Sequence, residues 1–374
     1  MQLQRNDYLM YISENLSTRC LGLRATKTVD GLEGGKMPQG LLEVSGSIDL
    51  NQFWPTGESD ADTVKLLLSA ANAFRFRSHA GAPFKVTHAF EGATVKGKVS
   101  KPTIDKNGRI TIRLQGIDAP ELHYRPTAPT INHTKPTKAQ RTRFNANNGN
   151  FRQFFGETAT VSLHGFLFKA GAIPIGCVVR TQVDEPADVF DTFGRFIGDI
   201  FVTLGGKEQN VNHWLCSNGW AFPTFYSSMT NQEINDLAAL AQQARKNQAG
   251  LWKKATSDLS KFNPTMVFRN HGTPNPAADS GPVFLPKLFR RRSTFGVAVS
   301  AQMFNGSFKN YLKTEPDDCF VTADFLSQGP HAALVRHLDE FVSTTSQFQP
   351  DAGGLVFREN ASTVIGKNGK PAKW

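Results

Sequence analysis

The sequence predicts an α+β fold divided into more than one structural region. From Leu41 onward, apolar residues alternate over short segments, as they do in half-buried strands. Later segments carry apolar residues at helical spacing and end at glycine. No period of about 20–50 residues recurs, which removes solenoids and propellers. At 374 residues the chain exceeds the roughly 100–200 typical of one domain. The expected organisation is a leader over 1–40, a main domain over 41–257, a linker over 258–282 and an accessory α+β region over 283–374.

The elements follow in order. Leu42–Ile48 and Thr63–Leu66 alternate as strands, and Ile110–Leu114 is apolar at every second position. Asn107-Gly108 before it is a hairpin-turn signal. Further strands are expected over Ala159–Phe168, Val179–Val183 and Phe196–Thr203. Helices are expected over Lys138–Phe155, over Val211–Asn218 before Gly219, and over Asn231–Asn247, where Ile234, Leu237, Leu240, Ala241 and Ala244 share one face. Past a Pro- and Asn-containing stretch from Asn263 to Pro282, a strand is expected over Phe295–Phe304 and a helix over Gly329–Thr344. The tail after Gln349 reads as turns.

Composition narrows the partners. Forty-two Lys and Arg against 32 Asp and Glu give a net charge of +10, which favours an anionic partner. Hydrophobic residues at 39% and 29 Phe exclude a wholly disordered chain. No apolar run approaches the about 20 residues that span a bilayer, and residues 1–20 lack a signal-peptide core. The four scattered cysteines form neither a disulfide framework nor a zinc site. A cytoplasmic protein is the expectation.

Chemistry concentrates in Arg113–Glu121, R-L-Q-G-I-D-A-P-E. A strand presents Arg113, Gly116 and Pro120 turn the chain, and Asp118 and Glu121 stand together on the loop beyond. Two carboxylates on a rigid loop suit a hard divalent cation, and one can deprotonate a water. A fixed arginine beside them offers bidentate contact to phosphate. Further on, Asp191–Arg195, D-T-F-G-R, supplies a second arginine at a strand start. Taken alone, D-A-P-E is a turn, and G-R before a strand is a surface arginine. In this order they meet the requirements of phosphodiester hydrolysis, whose transition state gathers negative charge.

These motifs resemble the staphylococcal nuclease (thermonuclease) family. R-L-Q-G-I-D-A-P-E and D-T-F-G-R are similar to two of its signatures. So are Val211–Ala221 and the closing Ala238–Trp252, which ends G-L-W. The resemblance covers about Leu41 to Lys254. It implies a five-stranded OB-type barrel with three helices and Ca²⁺-dependent cleavage of DNA and RNA, with Mg²⁺ and Mn²⁺ as alternative cations. Carried over by position, Arg113 and Arg195 match the catalytic arginines and Glu121 the general base. Asp118 matches a metal ligand, and the Ala119 carbonyl a backbone ligand. Phe193 stands where the family has a tyrosine, so a hydroxyl contact to phosphate is lost. Phe225 and Tyr226 fall near the base-stacking tyrosines.

The family's remaining metal-binding Asp has two candidate positions. Asp62, in D-A-D-T-V-K-L, keeps the carboxylate but lies 51 residues before Arg113. Ala93, in E-G-A-T-V-K, is nearer the expected spacing. Loop closure costs grow only logarithmically with length, whereas losing a carboxylate cripples a hard-cation site. This favours Asp62, with Ser69–Lys101 as an insertion.

Between Leu122 and Gly156 the chain carries Arg125, Lys135, Lys138, Arg141, Arg143 and Arg152, and no acidic residue. Directly after Glu121, this segment is expected to hold flanking phosphates, or to be a solvated loop. A second cluster, Lys287 with Arg290-Arg291-Arg292, is interleaved with Phe284, Leu288, Phe289 and Phe295. It is expected either to bind single-stranded nucleic acid or to form a basic edge over a small core. The leading expectation is a metal-dependent nuclease acting on DNA or RNA, without membrane association. The rival is a degenerate OB-type module that binds nucleic acid or protein without cutting.

Overall fold

A computed structural model describes residues 40–70, 73–262, 279–360 and 362–374. Five strands close a barrel: β1 (Leu41–Ile48), β2 (Thr63–Leu68), β3 (Arg109–Leu114), β4 (Ile175–Gln182) and β5 (Phe196–Leu204). β2 lies antiparallel to β1 and β3, β5 runs parallel to β3, and β4 joins β5 back to β1. Alternation explains the closure. Val44, Ile48, Val64, Leu66, Ile110, Ile112, Val179 and Ile200 point inward and are buried, while the residues between them face out. This is the OB-type barrel expected, within an α+β fold.

The described residues hold seven α-helices. α1 (Lys138–Ala146) opens on a capping box in which Thr137 and Gln140 exchange side-chain and backbone bonds. It stops at Asn147, short of the expected Phe155. α2 (Gly156–Phe168) covers the whole of Ala159–Phe168, a segment expected to be a strand. Its buried residues, Ala159, Leu163, Phe166 and Leu167, sit three and four apart, so the helical period prevails over the apparent alternation. α3 (Val211–Ser217) and α4 (Asn231–Lys246) match their expected positions, and Thr230 caps α4 in a second capping box.

The C-terminal elements depart further. α5 (Pro286–Ser300) replaces the expected strand over Phe295–Phe304: Pro286 fixes its first turn, and Leu288, Phe289, Phe295 and Ala298 form a buried stripe. α6 (Phe308–Leu312) and α7 (Thr322–Gln328) follow. Gly329, at φ 78°, ends α7, so the helix expected over Gly329–Thr344 is instead a turn, a two-residue strand at Arg336–His337 and a 3₁₀ turn at Leu338–Phe341.

Much of the expected linker, residues 263–278, lies outside the described residues. The described residues on either side form one compact unit. Leu355–Phe357 pairs in parallel with Phe225–Tyr226, and Thr363–Ile365 pairs with Thr94–Lys96 inside the insertion between β2 and β3. A second core joins Phe144, Phe151 and Phe155 to Leu288, Phe289 and Phe295. Each such side chain contributes about 1.5–3 kcal/mol on burial. α5 is therefore anchored against the loop that follows Glu121.

Candidate functional site

The site forms where β2 begins and β3 ends. Thr63 pairs with Arg113 across the two strands, so Asp62 arrives beside the arginine despite the 51 residues between them. The Leu114 amide donates to the Asp62 carbonyl at 2.9 Å and fixes that register. Gly116 then turns the chain at φ 72°, where a Cβ would stand 2.3 Å from Leu237 Cδ1. Ile117–Asp118 pairs with Phe222–Pro223, which seats Asp118 in the interior with its side chain fully buried. Beyond Pro120, Gln153 holds Glu121 from both sides. Its Oε1 accepts from the Glu121 amide at 3.0 Å, and its own amide donates to the Glu121 carbonyl at 2.8 Å.

Arg113 ties the carboxylates together. Its Nη1 lies 2.5 Å from Asp62 Oδ2, and its Nη2 donates to Asp118 Oδ1 at 2.6 Å. Asp62 Oδ2 also accepts from the Ala119 amide at 2.7 Å. Asp62 thus joins Asp118 through Arg113, whereas Ala93 is buried beside Thr103 and carries no carboxylate.

A second guanidinium enters from α5. Arg290 Nη2 donates to Asp118 Oδ2 at 2.9 Å, and Arg290 Nη1 donates to Asp118 Oδ1 at 3.1 Å and to Glu121 Oε1. Burial raises the pKa of Asp118, but Arg290 and Arg113 outweigh it and hold the carboxyl below its usual range. Burial also raises Glu121, and there Asp118 and Asp62 reinforce it enough to prevail over Arg290. Two carboxylates on one loop thus have pKa values pushed in opposite directions, a pattern that separates a base from a fixed anion.

Asp60 completes the charge set. It lies 3.5 Å from His123 Nε2, which also contacts the Glu58 carbonyl at 2.5 Å. Burial pushes Asp60 up to about 8, with Glu121 and Asp62 adding to it and His123 and Arg113 opposing. Tyr226 is half-buried near the same charges. Burial first, then Asp118, raises its phenol, against Arg113 and Arg290.

Arg195 is placed differently. β5 runs beside β3 with Ile197 level with Arg113, so Arg195 shares the outer face two residues back. Asp191 holds it: Oδ2 accepts from Arg195 Nε at 2.8 Å, while Oδ1 accepts the Phe193 and Arg195 amides at 2.9 Å each. Gly194, at φ 78°, makes that turn. The Phe193 ring is 48% exposed, with Lys98 Nζ 4.8 Å and the Arg195 guanidinium 5.6 Å from its centre. Among the described residues, no hydrogen bond or ion pair joins Arg195 to Asp118 or Glu121.

The expected nucleic-acid contacts divide. Arg125, Lys135, Lys138, Arg141 and Arg143 are exposed, and none pairs with a carboxylate among the described residues. Arg152 is spent on Glu157. Phe225 is fully buried and strand-paired with Val356, so its ring is not open to stack on a base; Tyr226 remains half-exposed. Lys287, Arg290, Arg291 and Arg292 lie on α5 and turn inward onto Asp317, Asp118, Glu121 and a set of phenylalanines.

These donors do not fit a divalent cation as they stand. Both Asp118 oxygens and Glu121 Oε1 accept from guanidinium groups, and Asp62 Oδ2 is held by Arg113 and the Ala119 amide. Among the described residues no three His, Cys, Asp or Glu side chains converge in a metal-holding group. Sequence reasoning missed the roles of Arg290 and Asp60. The first left a signal in the triple arginine of α5, and the second in its place two residues before Asp62.

Residues 111–254 match the family model described as Staphylococcal nuclease homologue. No curated protein matches the chain. The matched span holds Arg113, Asp118, Glu121 and Arg195; Asp62 and Arg290 lie outside it. Among the described residues, no helix is long and apolar enough to cross a membrane.

Proposed function

We propose that this site hydrolyses phosphodiester bonds in nucleic acid. The observation that carries the reading is the juxtaposition of Glu121, raised in pKa, with Asp118 on the same loop and with Arg113 on the strand before it. Glu121 takes a proton from water as the water oxygen bonds to phosphorus. The ester P–O bond on the opposite side breaks, and the departing oxygen takes a proton from solvent. Negative charge grows on the phosphoryl oxygens during this step, and fixed guanidinium groups stabilise it. Arg113 and Arg290 lie at the carboxylates, and Arg195 stands on the neighbouring strand. The exposed basic residues between Arg125 and Arg143 hold flanking phosphates, and Phe193 offers a base a stacking face. The partner is accordingly single- or double-stranded DNA or RNA.

A second reading, binding without cleavage, is favoured by one observation: Arg290 already donates to Glu121 Oε1, which occupies a lone pair that a base needs. One comparison separates the readings. Glu121→Gln is expected to slow cleavage of an end-labelled oligonucleotide about 10²–10⁴-fold while leaving its Kd unchanged. Equal losses in rate and affinity would remove Glu121 as the base, and no cleavage by the unaltered chain would leave the binding module.

A further inference from the structure

Arg290 belongs to none of the motifs that identify the barrel, yet it makes three hydrogen bonds to the site's carboxylates. We infer that its guanidinium takes the place of a divalent cation, so that the site engages a phosphate through arginines alone. The inference rests on the phosphodiester reading for its ligand and on the contacts of Arg290 for its cation.

The donor set supports it first. A hard cation draws about six to eight oxygen ligands, carboxylates foremost. Here Asp118 gives both oxygens to Arg290 and shares one with Arg113, while Glu121 accepts from Arg290 through Oε1. The charge agrees. Asp62 and Asp118 both pair with Arg113, Glu121 adds a third carboxyl group beside them, and Arg290 supplies the second positive charge that close carboxylates require. Of the five N–H donors of a guanidinium, three face these carboxylates. One on Nη2 and the Nε–H remain, and the side chain is 28% exposed. Part of the side chain thus faces solvent, and these two donors are the ones left for a phosphate oxygen.

Anchoring argues that Arg290 stays where it is. Leu288 and Phe289, just before it, are buried in the second core. Lys287 and Arg291 on either side hold Asp317 at 3.2 and 2.7 Å. Gln153, which positions Glu121, also donates to the Phe284 carbonyl at 2.7 Å just ahead of the helix. Withdrawing α5 would strip Asp118 of a partner and expose the apolar stripe, so the helix is a fixed wall of the site.

The test counts saturable Mn²⁺ on the full chain by electron paramagnetic resonance of the free ion. The unaltered protein is expected to hold no more Mn²⁺ than Asp118→Asn. Arg290→Ala is expected to gain one saturable site that Arg290→Ala/Asp118→Asn lacks. Arg290→Gln, which keeps most of the bulk, is expected to gain the same site and serves if the alanine variant does not fold. A saturable Mn²⁺ on the unaltered chain that Asp118→Asn loses overturns the inference, and so does the lack of a new site in the folded Arg290 variants. If neither variant folds, the count on the unaltered chain decides. Oligonucleotide binding in EDTA is read in parallel. Its loss, with the Mn²⁺ counts as expected, counts against the phosphodiester reading and leaves Arg290 as the site's cation.

Discussion

Two basic segments of this chain look alike in sequence and differ in what the fold makes of them. Between Arg125 and Arg143, five cations stand exposed on a loop and on α1, with no carboxylate partner among the described residues. Between Lys287 and Arg292, four cations are turned inward. Lys287 and Arg291 share Asp317, Arg290 joins Asp118 and Glu121, and Arg292 lies 4.9 Å from the centre of the Phe295 ring. Local charge density therefore does not decide whether a basic cluster is a surface for anions. The decision falls to acids far away in sequence, Asp118 being 172 residues from Arg290. The first segment is available to a polyanion, whereas the second is structure and site.

The sharpest way to break this contrast is at Asp317. Asp317→Ala leaves the half-buried Lys287 without a carboxylate and Arg291 with only Glu315 at 3.7 Å, and is expected to cost about 1–3 kcal/mol in denaturant unfolding. A loss like that of a surface pair, under about 1 kcal/mol, would return α5 to the exposed class. Acid provides a gentler version of the same test. Burial raises Asp317, but Lys287 and Arg291 more than offset this and hold it well below the usual carboxylate range. A depressed carboxyl stabilises the fold above its unfolded pKa and loses that stabilisation as pH falls. Tm is thus expected to drop from about pH 4 downward, with a shallower drop in Asp317→Asn.

The exposed side is expected to affect binding and not stability. Phe193→Ala removes a stacking face worth about 1–3 kcal/mol per base, read as weaker binding of a single-stranded oligonucleotide. Replacing Lys138, Arg141 and Arg143 together by Gln is expected to change stability by less than about 0.5 kcal/mol per site. The same change should lower the slope of log affinity against log salt by roughly 0.7–0.9 per residue. An unchanged slope would make that loop a solvated face.

The barrel was legible because its signals are local. Alternation placed β1, β2, β3 and β5 within a few residues, and capping chemistry with helical period placed α3 and α4. The misplaced segments, among them the strands Leu355–Phe357 and Thr363–Ile365 in a tail expected to be turns, failed for tertiary reasons. Ala159–Phe168 and Phe295–Phe304 are apolar enough to satisfy either period, and the core that covers them chose helix. Gly329–Thr344 has helical spacing but starts on a glycine whose positive φ ends the preceding helix. In the site, Arg113, Asp118 and Glu121 could be read from one nine-residue motif. Asp62 required the β2–β3 register to bring it across 51 residues. Arg290 required packing of α5 against the loop after Glu121, which no spacing in the chain announces.

The most direct test of a phosphodiester site that carries its own cation is cleavage of a fluorescent oligonucleotide by the full chain in EDTA, repeated in Ca²⁺, Mg²⁺ and Mn²⁺. Cleavage is expected in EDTA at a rate the cations do not raise, falling about 10²–10⁴-fold in Glu121→Gln. Cleavage that appears only when a divalent cation is added would contradict it.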